Sequence, residues 1–387
     1  MTADDDYGGV TTDRFRDLGA YSDWVTFART QATLYPADAP QLTVSEVRRL
    51  LGFAHIGRAS DPRLEQRWRR DGVDGEEVSW SVGYGPRTLA WLLRPAGVRR
   101  PLPGVLALHG HDGFKYWGKE KVADGPDPTP DLLQELRAAL YGGRGFANEL
   151  ARRGFAVLCH DAFLWGSRRF SPELVQRVDR PDPEARWLGP GEDLEAGGPI
   201  AYNRGALAHE HIVAKYATLL ATTVAGVVSY EDRCAVDYLR GRADTNAGPL
   251  GCVGLSGGGC RAALLQATCE DIGAAAVVGM MSAHAALLDR HVANHTWMFF
   301  PPGLALRGDW PDLAAARAPS PLLVQYCRDD HLFPLTGMRA AHERLTQRYQ
   351  QAGDADAYIG EFFTGGHRFD LAMQDSAFNH LQGWLLP

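Results

Sequence analysis

From residue 76 onward the chain alternates short, bounded apolar runs with longer stretches of helical periodicity, and this rhythm narrows the folds open to it more than any other feature. "EEVSWSV" and "RTLAWLLRP" flank the turn "GYGP", and "GVLALHG" follows as a brief apolar run of the kind buried on both faces. The helix "FANELARRG" then leads into "FAVLCHDA", the helix around "TVAGVVSYEDRCAVDYLRGR" into "LGCVGLS", and "GCRAALLQATC" into "IGAAAVVGMMS". "SPLLVQYC", "TGMRAAHERLTQRYQQ", "AYIGEFF" and "AFNHLQGWLL" carry the pattern to the end. Strand and helix in alternation predict an α/β fold, with a mostly parallel central sheet and helices on both faces. Such sheets bind ligands beyond the carboxyl ends of their strands.

Three segments interrupt the rhythm, at about 114–145, 164–215 and 284–312. They are too long for ordinary connections and are expected to be insertions that cover a site. "HVANHTWMFFPPGL", in the third, sets aromatic residues beside a Pro-Pro-Gly turn and is a candidate pocket wall. Residues 1–75 read as a helical extension packed on the 76–387 body. In it "DRFRDLGAYSDWVTFARTQ" has near-helical apolar spacing, and "TVSEVRRLLGFA" opens on a Thr or Ser cap.

Hydrophobic residues make up 45% and charged residues 22%, the balance of a globular chain. The net charge of −7 and a pI near 6.0 give no electrostatic footprint for nucleic acid. No apolar run approaches a membrane span, and the acidic start "MTADDDYGGV" lacks the basic-then-apolar order of a secretory signal, so the expectation is a cytoplasmic protein with no membrane partner. The six cysteines include no C-x-x-C pair and no zinc spacing, and read as buried thiols, Cys260 on the packing face of a helix. Neither a Walker motif nor a dinucleotide-binding glycine fingerprint stands in the right context, and no cofactor or metal is expected.

The stretch that carries chemistry is "GCVGLSGGGC", residues 251–260, where an apolar strand stops at Ser256 and a helix begins. A nucleophile elbow needs this strand–turn–helix setting with small residues on either side, which Gly254 and Gly258 provide. A serine hydroxyl is a weak nucleophile, so it requires a histidine base and an orienting carboxylate, which in this arrangement follow in the order serine, acid, histidine. "YCRDDHLFP" follows one strand and "FFTGGHRFD" the next, both on the edge where Ser256 would emerge. Asp330 is preferred to Asp329 as the acid, since it stands four residues before Pro334 where the loop turns into a helix. His367 is the base candidate, and His331, too early in the order, a loop residue.

"LALHGHDGF" ends an earlier strand and puts the amide of His111 where it can join that of Gly257 in an oxyanion hole, while the His111 ring has the alternative of lining the pocket. His295, Trp297 and Phe299 are candidates for contact with substrate, with core packing the alternative. The two histidines of "HEH" at 209–211 would not share a helix face, and His291 and His295, which could, lack a third ligand.

Taken together, "LHGHDG", "FANELARRGFAVLCHDAFLWGSRR", "GCVGLSGGG", "NHTWMFFPPGL", "PLLVQYCRDDHLFP" and "GGHRF", in that order, resemble the α/β-hydrolases of the dienelactone hydrolase and acetyl xylan esterase-like branch over roughly residues 76–387. The resemblance implies the α/β-hydrolase fold, a triad of Ser256, Asp330 and His367, and an oxyanion hole from His111 and Gly257. Cys327 departs from it by replacing a glycine ahead of the acid, as do the first 75 residues and the long segments after Phe114 and Leu164. The expectation is a serine hydrolase acting on a small-molecule carboxylic ester of small or medium acyl group, an acetyl ester or lactone among them. Cleavage of an amide or carbon–carbon bond, acyl transfer, and a catalytically silent binding protein are the alternatives; a homodimer stays open.

Overall fold

The computed structural model describes residues 15–178 and 198–386. Residues 1–14, at the head of the expected extension, and 179–197, within the expected 164–215 insertion, lie outside them.

Among the described residues, nine strands form one sheet in the order β1-β2-β3-β5-β4-β6-β7-β8-β9. β1 (Ser60–Arg70), β2 (Val73–Ser81) and β3 (Thr88–Pro95) run antiparallel to their neighbours, β3 against β5 included. β4 (Gly104–Leu108), β5 (Ala156–His160), β6 (Leu250–Leu255), β7 (Ile272–Val278), β8 (Leu322–Cys327) and β9 (Tyr358–Phe363) are parallel. The alternation read from the sequence is therefore present, and the central strands are apolar throughout because both faces are covered. Along β4, Leu106 and Leu108 join one core while Val105 and Ala107 join the other.

The helices in chain order are α1 (Asp23–Gln31), α2 (Val44–Leu50), α3 (Asp131–Leu140), α4 (Phe146–Arg152), α5 (Pro172–Val178), α6 (Pro199–Leu219), α7 (Val224–Arg240), α8 (Gly257–Thr268), α9 (Trp310–Ala314), α10 (Leu335–Gln351) and α11 (Leu371–Leu385). α4 and α11 supply one core with Phe146, Leu150, Phe378 and Leu381. α2, α7, α8, α9 and α10 supply the other, larger one.

The first 75 residues are not all helical, which corrects the sequence reading. α1 and α2 are there, and α2 opens with a capping box in which the Thr43 hydroxyl accepts the Glu46 amide at 3.2 Å and Glu46 accepts the Thr43 amide at 2.9 Å. But β1 and the start of β2 also fall inside this segment, so the sheet begins at Ser60. β1 lies at the sheet edge with nearly every side chain in solvent, so no apolar alternation marks it in the sequence. Asp71 and Gly72, both at positive φ, make the two-residue hairpin turn, and this Asp-Gly pair is the one local mark of β1 in the sequence.

Candidate active site

Ser256, His111, Asp330 and His367 follow β6, β4, β8 and β9, so all four reach the same edge, the carboxyl ends of the parallel strands. Ser256 has φ 56° and ψ −119°, a backbone that a non-glycine residue adopts only under constraint. The constraint is visible: its amide donates to Val278 O of β7 at 2.8 Å, and its carbonyl accepts the Cys260 amide of α8 at 2.8 Å. The glycines beside it are dictated by close approach. A β-carbon on Gly258 would stand 2.2 Å from Leu108 O, and one on Gly257 would stand 2.5 Å from the His111 amide nitrogen. The backbones of Gly257 and His111 thus pass in direct contact.

His367 Nδ1 and Asp330 Oδ2 are 2.6 Å apart. The Asp330 side chain is fully buried, and its other oxygen accepts the Leu332 amide at 2.9 Å. With Nδ1 so engaged, Nε2 is the ring nitrogen left for the cavity. Asp329 is exposed and does something else: its carboxylate accepts the Gly365 amide at 2.8 Å and its own amide donates to Gly365 O at 3.0 Å, tying the two loops together. Cys327, where a glycine is usual, packs below this loop with its thiol toward Arg368 O at 3.4 Å, and burial pushes the thiol up to about 11. His331 is exposed, its ring 6.4 Å from that of His367.

The turn that carries His111 is held from beneath by charges that sequence reasoning did not single out. Lys121, completely buried, donates to the carbonyls of Gly110 at 2.5 Å and Phe114 at 3.1 Å and pairs with Asp112 at 3.0 Å. Burial lowers the Lys121 pKa, with Asp112 opposing. On the other side, Arg261 of α8 pairs with Asp232 of α7 at 2.7 Å and reaches His109 O at 3.3 Å. In "FKYWGKEK", within the expected 114–145 insertion, Lys115, Lys119 and Lys121 are all buried and all paired with a carboxylate.

Above the strand ends lies a cavity of about 420 Å³, lined by Ser256, Gly257, His111 and His367 and by the three residues proposed for substrate contact, His295, Trp297 and Phe299. Phe299 is buried and stacks on Trp310 at 5.0 Å, so it is core and wall at once, whereas Trp297 is 41% exposed at the rim. The His295 ring sits 4.7 Å from Phe333 and 5.0 Å from Phe299, and burial drives its pKa down to about 4, leaving it neutral. Cys260 also lines the cavity, and burial raises its thiol well above the ordinary range. Among the described residues no three His, Cys, Asp or Glu side chains cluster as a metal site requires.

The "HEH" stretch lies on α6, and its three side chains part. His209 packs on Phe170 at 4.6 Å, and His211 accepts the Trp297 indole N–H at 2.8 Å. Glu210, between them, enters the cavity wall, and sequence reasoning missed it. The available signal was a carboxylate within the apolar stretch "GALAHEHIV".

A sheet of this order, with Ser256 at a strained strand–helix turn after β6 and the Asp330–His367 pair after β8 and β9, is that of an α/β-hydrolase fold. No family model matches the chain. It is 23% identical over 299 residues to the protein named "Putative hydrolase YtaP" of Bacillus subtilis (strain 168), covering 76% of this chain and 83% of that one. Among solved structures it is similar to a "putative acetyl xylan esterase" from Bacteroides fragilis NCTC 9343, with TM-score 0.61, 17% identity and coverage of 92% of this chain and 84% of the other. Acetyl Xylan Esterase 1 from Thermoanaerobacterium sp. JW/SL YS485 is a further likeness, with TM-score 0.54, 13% identity and coverage of 90% and 96%. The fold is thus the one the sequence resemblance implied.

Proposed function

We propose that the protein is a serine hydrolase that cleaves a carboxylic ester of small or medium acyl group through an acyl-enzyme on Ser256. The observation that carries this reading is the 2.6 Å contact of His367 Nδ1 with buried Asp330, at a cavity that also holds Ser256 on its strained turn. Support comes too from relatives named as a hydrolase and as acetyl xylan esterases.

In this mechanism His367 Nε2 takes the hydroxyl proton as Ser256 Oγ attacks the ester carbonyl. Asp330 keeps the proton of the ring on Nδ1 and stabilises the imidazolium that forms. The amides of Gly257 and His111 receive the oxyanion, reinforced by the amino-terminal end of α8. Collapse of the tetrahedral intermediate expels the alkoxide, which takes the proton from His367. Water, deprotonated by the same histidine, then releases the acid and frees Ser256. The cavity, of about 420 Å³, lies in the range of small-molecule sites, with Phe299 as one wall.

The test is Ser256→Ala. The wild type should react with a fluorophosphonate probe and hydrolyse p-nitrophenyl esters, acetylated sugars or lactones. The variant should take up no probe and lose about 10³-fold or more in kcat. Equal labelling of the two proteins would overturn the reading.

A further inference from the structure

Glu210 has no part in the steps above, yet it is the best-connected side chain at the cavity. It is 3% exposed and lines the space that holds Ser256. Its Oε2 accepts from Lys115 Nζ at 2.5 Å; its Oε1 accepts from the Thr296 hydroxyl at 2.5 Å and the Trp297 amide at 2.8 Å. One carboxylate therefore joins α6, the turn that carries His111, and the aromatic wall. The Lys115 ammonium also donates to Ala206 O at 3.2 Å, and the Lys115 amide donates to Asn203 Oδ1 at 2.6 Å, so the turn is fastened to α6 at a point four residues past His111.

The His111 ring faces the same carboxylate: its Nδ1 accepts the Gly113 amide at 3.0 Å, and its buried Nε2, which makes no hydrogen bond, stands 3.5 Å from Glu210 Oε2. Burial opposes ionisation of Glu210, but Lys115 and His111 outweigh it and hold the carboxyl below the usual carboxylate range. A full negative charge thus sits at the junction at neutral pH.

We propose that Glu210 is a positioning residue for the oxyanion hole: it fixes the His111 turn and the Trp297 wall in one arrangement, so that an ester seated against the wall meets the His111 and Gly257 amides. The inference rests on the ester-hydrolase reading of the site. It differs from an ordinary structural ion pair in what its loss should do. A pair that served stability alone can be exchanged for apolar side chains of similar volume without harm to the chemistry.

The experiment compares wild type, Glu210→Gln, and the double variant Lys115→Met with Glu210→Met, each corrected for active sites by fluorophosphonate titration. The double variant avoids leaving a lysine charge buried alone, and Glu210→Gln, which keeps the shape, supplies the measurement should the double variant not fold. Both are expected to lose roughly 10- to 100-fold in kcat per titrated site, the scale of a displaced catalytic group, with KM changed less than about threefold. An undiminished kcat in the folded variants, whether or not KM rises, overturns the inference alone. A wild type that hydrolyses no ester and takes up no probe overturns the hydrolase reading and this inference with it.

Discussion

At the scale of single residues, contact distances decide what the site tolerates. Gly257→Ala would place a β-carbon 2.5 Å from the His111 amide nitrogen, where neither backbone can yield without parting the two amides. The expected result is a loss of about 10²-fold or more in kcat with the circular dichroism spectrum unchanged, the scale of removing one oxyanion donor. Wild-type kcat in this variant would remove Gly257 and His111 from the mechanism. Ser256, Asp330 and His367 were legible in the sequence because each is announced by its neighbours: small residues around a serine at a strand end, and an acid and a histidine just past later strands. Glu210 was not. Its partners Lys115, Thr296 and Trp297 lie 95, 86 and 87 positions away, and no local pattern encodes a contact of that kind. Spacing to Pro334 favours Asp330 over Asp329; in the structure Asp330 contacts His367 Nδ1, and Asp329 is occupied with Gly365.

At the scale of elements, helices and central strands were readable because burial imposes a period on their apolar residues, 3.6 for an amphipathic helix and a continuous run for a strand covered on both faces. β1 escaped because it buries almost nothing, and the pairing that defines it is made by backbone groups common to all residues. α2 shows the reverse case, a short helix far from Ser256 in sequence whose worth is in its packing. Val47 and Leu51 at this helix are fully buried in the larger core, and Arg48 Nε donates to Thr268 O at the end of α8, 2.8 Å away. Leu51→Ala should therefore destabilise the protein by about 2–5 kcal/mol, the range for deleting a buried leucine side chain, while kcat per folded molecule stays at the wild-type level. Urea denaturation checks the first expectation; a midpoint equal to that of the wild type would mean that α2 is only loosely attached.

At the scale of the whole molecule, buried histidines set the response to acid. Burial lowers His284, His295 and His380 each to about 4, from an ordinary 6.5. Between those values the unfolded chain binds protons that the folded chain refuses, so stability is complete above pH 6.5 and is lost as pH falls toward 4. Asp309, raised by burial to about 6 and 3.7 Å from His284, acts in the opposite direction, since its folded form takes up a proton first and gains stability on acidification. His109, His160, His209 and His342 are lowered by burial as well, so among the described residues the histidines outweigh Asp309 and leave a net loss. The urea midpoint should fall from pH 7.5 to pH 5, and His380→Gln should lessen that fall; equal falls in the two proteins would rule His380 out as a contributor.

The exposed strand that begins the sheet bears on how the molecules behave toward one another. An open strand edge invites addition of a strand from another chain, the first step of edge-to-edge aggregation. β1 discourages this: Pro62 offers no N–H, and Arg63, Glu65, Arg67 and Arg69 stand along a ribbon that an incoming strand would have to cover. At the β1 edge, therefore, a strand from a second copy would meet charge and a missing donor where it needs a continuous backbone ladder.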